Sequence, residues 1–245
     1  MRAMVSSYEL LLLAVAPSVF LLWFFRHKER FVREPIGLMI KVFILGAIWV
    51  IPAIIFEIIG DKLLHPDNGL IETILFLFIF VGPGEEFGKY FAVKRGAFKN
   101  PKFHGPMDGI VLGVSAALGF ATIENIDYVL SAPTPEAQIL TGIIRAFLSV
   151  PGHAFWGAIT GFYIGQAKYK GKHWLGYAGL AISSILHATY DSTSAIVTAY
   201  SSDIISLDLL GLIALAGIVY LSYIVIVRRE IGTAEAEEDH PQSTG

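Results

Sequence analysis

Cysteine is absent from all 245 residues, which excludes disulfides, thiolate metal sites and a cysteine nucleophile. Charge is scarce as well: Asp, Glu, Lys and Arg make up 16% of the chain against 54% hydrophobic residues, too little charge for an ordinary soluble surface. Neither a serine-centred nucleophile elbow nor a helical H-E-x-x-H zinc motif occurs. What is present is a series of apolar runs that reach the ~20 residues needed to cross a bilayer. The first carries no small-residue cleavage site and is followed by positive charge, so it reads as an uncleaved span rather than a signal peptide.

The runs predict an all-α polytopic membrane helix bundle with seven spans, at roughly 8–25, 37–59, 70–93, 107–130, 139–165, 173–199 and 207–227. The connections alternate in charge. Arg26, Lys28, Arg30 and Arg33 follow the first span; Lys94, Arg95, Lys99 and Lys102 follow the third. Lys168, Lys170 and Lys172 follow the fifth, and Arg228 and Arg229 the seventh, whereas the opposite side carries only Arg2 and Lys62. The positive-inside rule then places the N-terminus outside and the C-terminus in the cytoplasm, as expected for a multi-pass protein of the cell membrane. These basic loops are topology signals and lipid-headgroup contacts, not a nucleic-acid surface. Residues 1–230 read as one transmembrane domain, and 231–245 as a short, acidic, disordered tail.

Ionisable groups inside spans are costly and by default mark a functional site. The stretch Val81-Gly82-Pro83-Gly84-Glu85-Glu86-Phe87-Gly88-Lys89 interrupts an apolar run with two adjacent carboxylates and a lysine. Pro83 removes a helical hydrogen bond and Gly84 loosens the turn, so the acids sit where a helix can bend. Glu85 and Lys89 are four apart, on one face, while Glu86 points about 100° away.

On the fourth span Gly109, Gly113, Ala117 and Ala121 recur every fourth residue, a small-residue packing stripe on which Glu124 falls. Gly157, Gly161 and Gly165 repeat that spacing on the fifth span, with His153 one turn earlier. On the sixth, Gly176, Ser183, His187, Asp191, Ser194 and Thr198 lie within an arc of about 80°. Arg145 balances Glu124 or Glu136, and Asp127 and Lys41, near span ends, snorkel or meet water. Along ideal helices Glu85 and Glu124 fall at different depths, about 4–5 Å inward and about 8 Å outward of their span centres. Tilt and the Pro83–Gly84 bend are needed to bring them level.

At these residues the chain resembles the PrsW family of intramembrane proteases, which is related to the type II CAAX prenyl proteases (CPBP or ABI proteins) and to APH-1. The matching pieces are Glu85-Glu86-x-x-Lys89, Phe120-x-x-x-Glu124 with Asn125, His153 with Gly157, and His187-x-x-x-Asp191, in order on four successive spans. The likeness covers roughly residues 35–200. The CAAX branch has His where Glu124 stands here, and Arg is more usual near Lys89, so Glu124 favours the PrsW branch. The resemblance implies hydrolysis of peptide bonds in transmembrane or membrane-anchored protein substrates, transmembrane anti-sigma factors among them.

Two mechanisms follow. In one, Glu85 or Glu86 is the general base that activates water, with Lys89 keeping one of the pair ionised. His153 and His187 then hold the water or donate to the oxyanion, with Asp191 orienting His187. In the other, Glu124, His153 and His187 with a glutamate of the pair, Glu85, bind Zn²⁺. Rival readings are a non-catalytic APH-1-like scaffold, which has no need of two adjacent acids, and a proton-coupled transporter, for which no repeated Gly/Pro-broken spans appear. A retinal-type receptor is excluded because residues 207–227 contain no lysine.

Overall fold

Apolar runs with few breakers fold as helices because every backbone polar group is then satisfied within the segment, the condition for crossing lipid. The computed structural model describes residues 6–28 and 34–200, and among them it is helical with no strand. The helices are α1 (Ser7–Lys28), α2 (Ile36–Leu64), α3 (Leu70–Phe76), α4 (Gly82–Gly96), α5 (Pro106–Ser131), α6 (Pro135–Phe147), α7 (Ser149–Tyr169) and α8 (Trp174–Tyr200). Among the described residues four helical stretches, Ser7–His27, Ile36–Leu64, Pro106–Ser131 and Pro135–Tyr169, are long and apolar enough to cross a membrane. The expected seventh span, 207–227, and the acidic tail, 231–245, lie outside the described residues.

Helix α5 is the axis of the bundle. Its hydrophobic stretch is 83% buried, against 22% for α1 and for α2, whose isoleucines face outward. The small-residue stripe explains why. A Cβ built on Gly113 would strike the carbonyl oxygen of Gly157, and one on Gly161 that of Gly109, so α5 and α7 touch backbone to backbone. On its other side α5 meets α2, where Gly46 abuts the Ala116 carbonyl and Gly119 that of Phe43.

Two of the expected spans are interrupted. Between α3 and α4 the chain widens into a π turn over Leu77–Val81, immediately before Gly82-Pro83-Gly84. Pro83 has no N–H for the Ile79 carbonyl, and the wider turn absorbs that lost hydrogen bond. The expected fifth span, 139–165, is two helices: Leu148, at φ −117°, ψ −63°, separates α6 from α7. Pro151 is the physical reason, because its ring clashes with the carbonyl four residues back, Phe147, where α6 ends. Helix α6 starts at Thr134, whose hydroxyl accepts from the Ala137 N–H at 3.2 Å. It is amphipathic, with Leu140, Ile143 and Phe147 exposed and Arg145 turned inward.

Candidate functional site

Four helices contribute to one buried cluster. Just after the π turn, α4 carries Glu85, Glu86 and Lys89, all buried. The Lys89 ammonium donates to Glu86 Oε1 at 2.6 Å and to Glu85 Oε2 at 3.3 Å, and lies 2.8 Å from His153 Nδ1 on α7. These three contacts use its three donors. The faces of Phe120 and Trp156 complete its surroundings, at 4.7 and 5.7 Å.

His187 of α8 is held on three sides. Its Nδ1 is 2.9 Å from Glu86 Oε1, while its Nε2 is 3.8 Å from Glu85 Oε2 and 3.3 Å from Asp191 Oδ2. The ring stacks on Trp156, with centroids 4.0 Å apart and planes 15° apart. His153 makes a parallel arrangement on α7: its Nε2 is 2.9 Å from Glu124 Oε2 on α5. That same oxygen is 3.0 Å from Arg145 Nη2, so Arg145 balances Glu124. Both contacts are at ion-pair distance but away from hydrogen-bond alignment. Arg145 Nε donates to Asn125 Oδ1 at 2.6 Å, and Asn125 Nδ2 donates to the Ala14 carbonyl at 2.8 Å, which ties the cluster to α1.

A cavity of about 920 Å³ opens onto the cluster, lined by Glu85, Glu124, Arg145, His153, His187 and Asp191 among others. Glu85 and Glu124, which ideal helices put at different depths, therefore face one space. Glu86 and Lys89 do not line it; they stand behind the wall, fully enclosed by protein. All seven residues singled out from the sequence are thus in one connected network, split into a cavity face and a backing layer. Asp127 lies exposed at the cavity, whereas Lys41 donates to the Gly96 carbonyl at 2.8 Å. Ser183 of the polar face bonds the Trp156 carbonyl and Thr160; the side chains of Ser194 and Thr198 lie outside the described set.

Sequence reasoning missed Glu57. It stands on α2 in the run Ile54-Ile55-Phe56-Glu57-Ile58-Ile59 and lines the cavity, half-buried. The signal was available: an acid in an apolar span is the same warning that singled out Glu85. Trp156 and Tyr190 were missed too, since an aromatic in a span gives no such signal.

Glu85, His153 and His187 each offer a ligand atom within 4.8 Å of the other two, and all three are buried. Two imidazoles and a carboxylate are a donor set that zinc accepts. Glu124 is outside that group of three; its place is against His153 Nε2.

A family model described as PrsW family intramembrane metalloprotease matches residues 34–227. The chain is 34% identical to the Protease PrsW of Halalkalibacterium halodurans over 188 residues, 76% of this chain and 83% of the relative. It is 33% identical to the Protease PrsW of Bacillus subtilis, covering 72% of this chain and 78% of the relative. The Protease PrsW of Clostridioides difficile is likewise 33% identical, over 75% and 78% of the two chains. No solved structure matches.

Proposed function

The chain belongs to the PrsW family of intramembrane proteases, and on that premise we propose that it hydrolyses a peptide bond of a transmembrane or membrane-anchored protein in the 920 Å³ cavity, with Glu85 as general base. The observation that carries this reading is the division of the glutamate pair. Glu85 faces the cavity beside His187, while Glu86 is turned away and engaged by Lys89 and His187. A base must reach the proton it takes.

In this scheme a water beside Glu85 attacks the scissile carbonyl carbon. Its proton passes to the Glu85 carboxylate, and the carbonyl π electrons move to oxygen. Collapse of the tetrahedral species breaks the C–N bond, and Glu85 returns the proton to the leaving amine. Glu86 fixes His187 through Nδ1 and leaves Nε2 directed at Glu85 and Asp191. Glu124 stands against His153 Nε2 at ion-pair distance. Each histidine thus has one nitrogen facing an acid, which resembles the pattern by which carboxylates orient ligating imidazoles. Glu85, His153 and His187 would hold a divalent ion through one ligand atom each, which leaves the second Glu85 oxygen to take the proton; zinc is the best match to these donors. A bound ion supplies Lewis acidity toward the carbonyl and toward water.

We propose further that the chain crosses the cell membrane seven times, with its N-terminus outside and its C-terminus in the cytoplasm, as a single domain over 1–230 with a short acidic tail. The alternating basic loops support this orientation.

Co-expression with single-span candidate substrates tests the reading. Glu85→Ala and His187→Ala are expected to abolish cleavage in protein that still folds, and a chelator to do so in the wild type. Full cleavage by Glu85→Ala would refute the assignment of the base. Cleavage lost in that variant but kept with chelator would retain the base and remove the metal.

A further inference from the structure

Lys89 stands where a cation belongs. It reaches the cluster from behind the cavity wall, 1% exposed, with its ammonium among Glu85, Glu86 and His153. Glu124 occupies His153 Nε2, so the ring's other nitrogen, Nδ1, is the one free to ligate. That nitrogen is the one 2.8 Å from Lys89 Nζ. A lone pair that accepts an ammonium N–H cannot at the same time bind a metal ion. We infer that Lys89 is a tethered cation that competes with a divalent metal ion for this site, so that metal loading and the Lys89–His153 contact exclude one another. The inference rests on the metal-holding role proposed above for Glu85, His153 and His187.

The surroundings give the ammonium somewhere to go. Glu86, its shortest contact at 2.6 Å, is not one of the three donor residues. The second oxygen of Glu86, Oε2, is buried and has no hydrogen-bond partner among the described residues. Lys89 can therefore release His153 and Glu85 while staying paired to Glu86, within the aromatic walls of Phe120 and Trp156. Without metal the ammonium neutralises the acid pair and holds His153 in place. With metal it withdraws to Glu86. Repulsion between an ammonium and a divalent ion at hydrogen-bond separation exceeds a factor of ten in affinity even at an effective dielectric constant of about 20.

The test is Co²⁺ binding to the purified full chain in detergent, read from the visible absorption of the ion. Lys89→Met and Lys89→Gln remove the charge and are expected to bind Co²⁺ at least about tenfold more tightly than the wild type. Without metal they should unfold at lower temperature, and Co²⁺ should restore the difference. Equal or weaker binding by the variants overturns the inference and leaves the metal site standing. Binding by none of the three proteins overturns both. Should neither variant fold, the structure of the metal-loaded wild type decides. Lys89 Nζ is expected beyond hydrogen-bond distance from His153 Nδ1, and persistence of that contact with metal bound overturns the competition.

Discussion

Gly161→Ala should weaken both the fold and the activity, although Gly161 lies two turns from His153. A Cβ at 161 would fall on the carbonyl oxygen of Gly109, with the Gly109 carbonyl carbon and Gly113 Cα close behind. Those are backbone atoms of a helix buried on all sides, so no side chain can swing aside. Helices α5 and α7 must instead part by about 1 Å, and overpacking of this kind typically costs about 1–3 kcal/mol. For a chain of this size that lowers the unfolding temperature by roughly 2–4 °C per kcal/mol. His153 stands eight residues before Gly161 on α7, about 12 Å along the axis. Parting the helices moves His153 away from Glu124, and a displacement of about 1 Å at a reacting group can cost about 10²-fold in rate. The assay is thermal unfolding in detergent beside cleavage of a single-span substrate. Gly37→Ala is the control, since nothing lies within 4 Å of a Cβ there, and it should match the wild type in both. Wild-type stability and turnover in Gly161→Ala would refute the claim that backbone contact between α5 and α7 sets the site.

Four other outcomes follow from the same geometry. Arg145→Leu leaves the buried Asn125 amide oxygen and Glu124 without their cation and should lower stability by roughly 1–3 kcal/mol, measured by chemical or thermal unfolding. Asp191→Asn keeps the fold but loosens His187 Nε2, so kcat should fall roughly 10–100-fold with KM little changed. Glu85→Gln should be inactive yet unfold like the wild type, whereas Glu86→Gln, which disarms the closest partner of both Lys89 and His187, should be inactive and less stable; equal unfolding temperatures would contradict the division of labour. Glu57→Gln, on the cavity wall outside the cluster, should alter KM or substrate preference in steady-state kinetics while kcat holds.

The polar cluster was legible because charge inside an apolar run has no cheap explanation, and that rule found every acid and histidine of the cluster, though Glu57 on the cavity wall was passed over. Helix periodicity placed Glu124 on the packing stripe and His187 above Asp191, and both faces are where the period puts them. Continuity of the spans was harder to read. Hydropathy over 139–165 sees an unbroken apolar stretch, yet Pro151 ends α6 at Phe147, and the break matters because it aims Arg145 inward at Glu124. The difference between Glu85 and Glu86 was not legible at all. Adjacent residues on a helix differ only by rotation, and which one meets open space depends on where α5, α7 and α8 stand around α4.

The network also explains why the acids survive so far from bulk water. Lys89 joins the α4 pair to α7, and Glu86 reaches α8 across 101 residues of sequence to hold His187. Arg145 joins α6 to α5, and through Asn125 to α1. Each cation thus serves acids on one helix while touching a neighbour, so the groups that supply the chemistry also fasten six helices around the cavity. Removing one of a buried pair strands the other, which is costlier than losing the pair together. Loss of activity alone therefore cannot assign a role to any of these residues. The assignment comes from conservative changes read for stability and turnover together, since groups that only fasten move both, and a group that only reacts moves one.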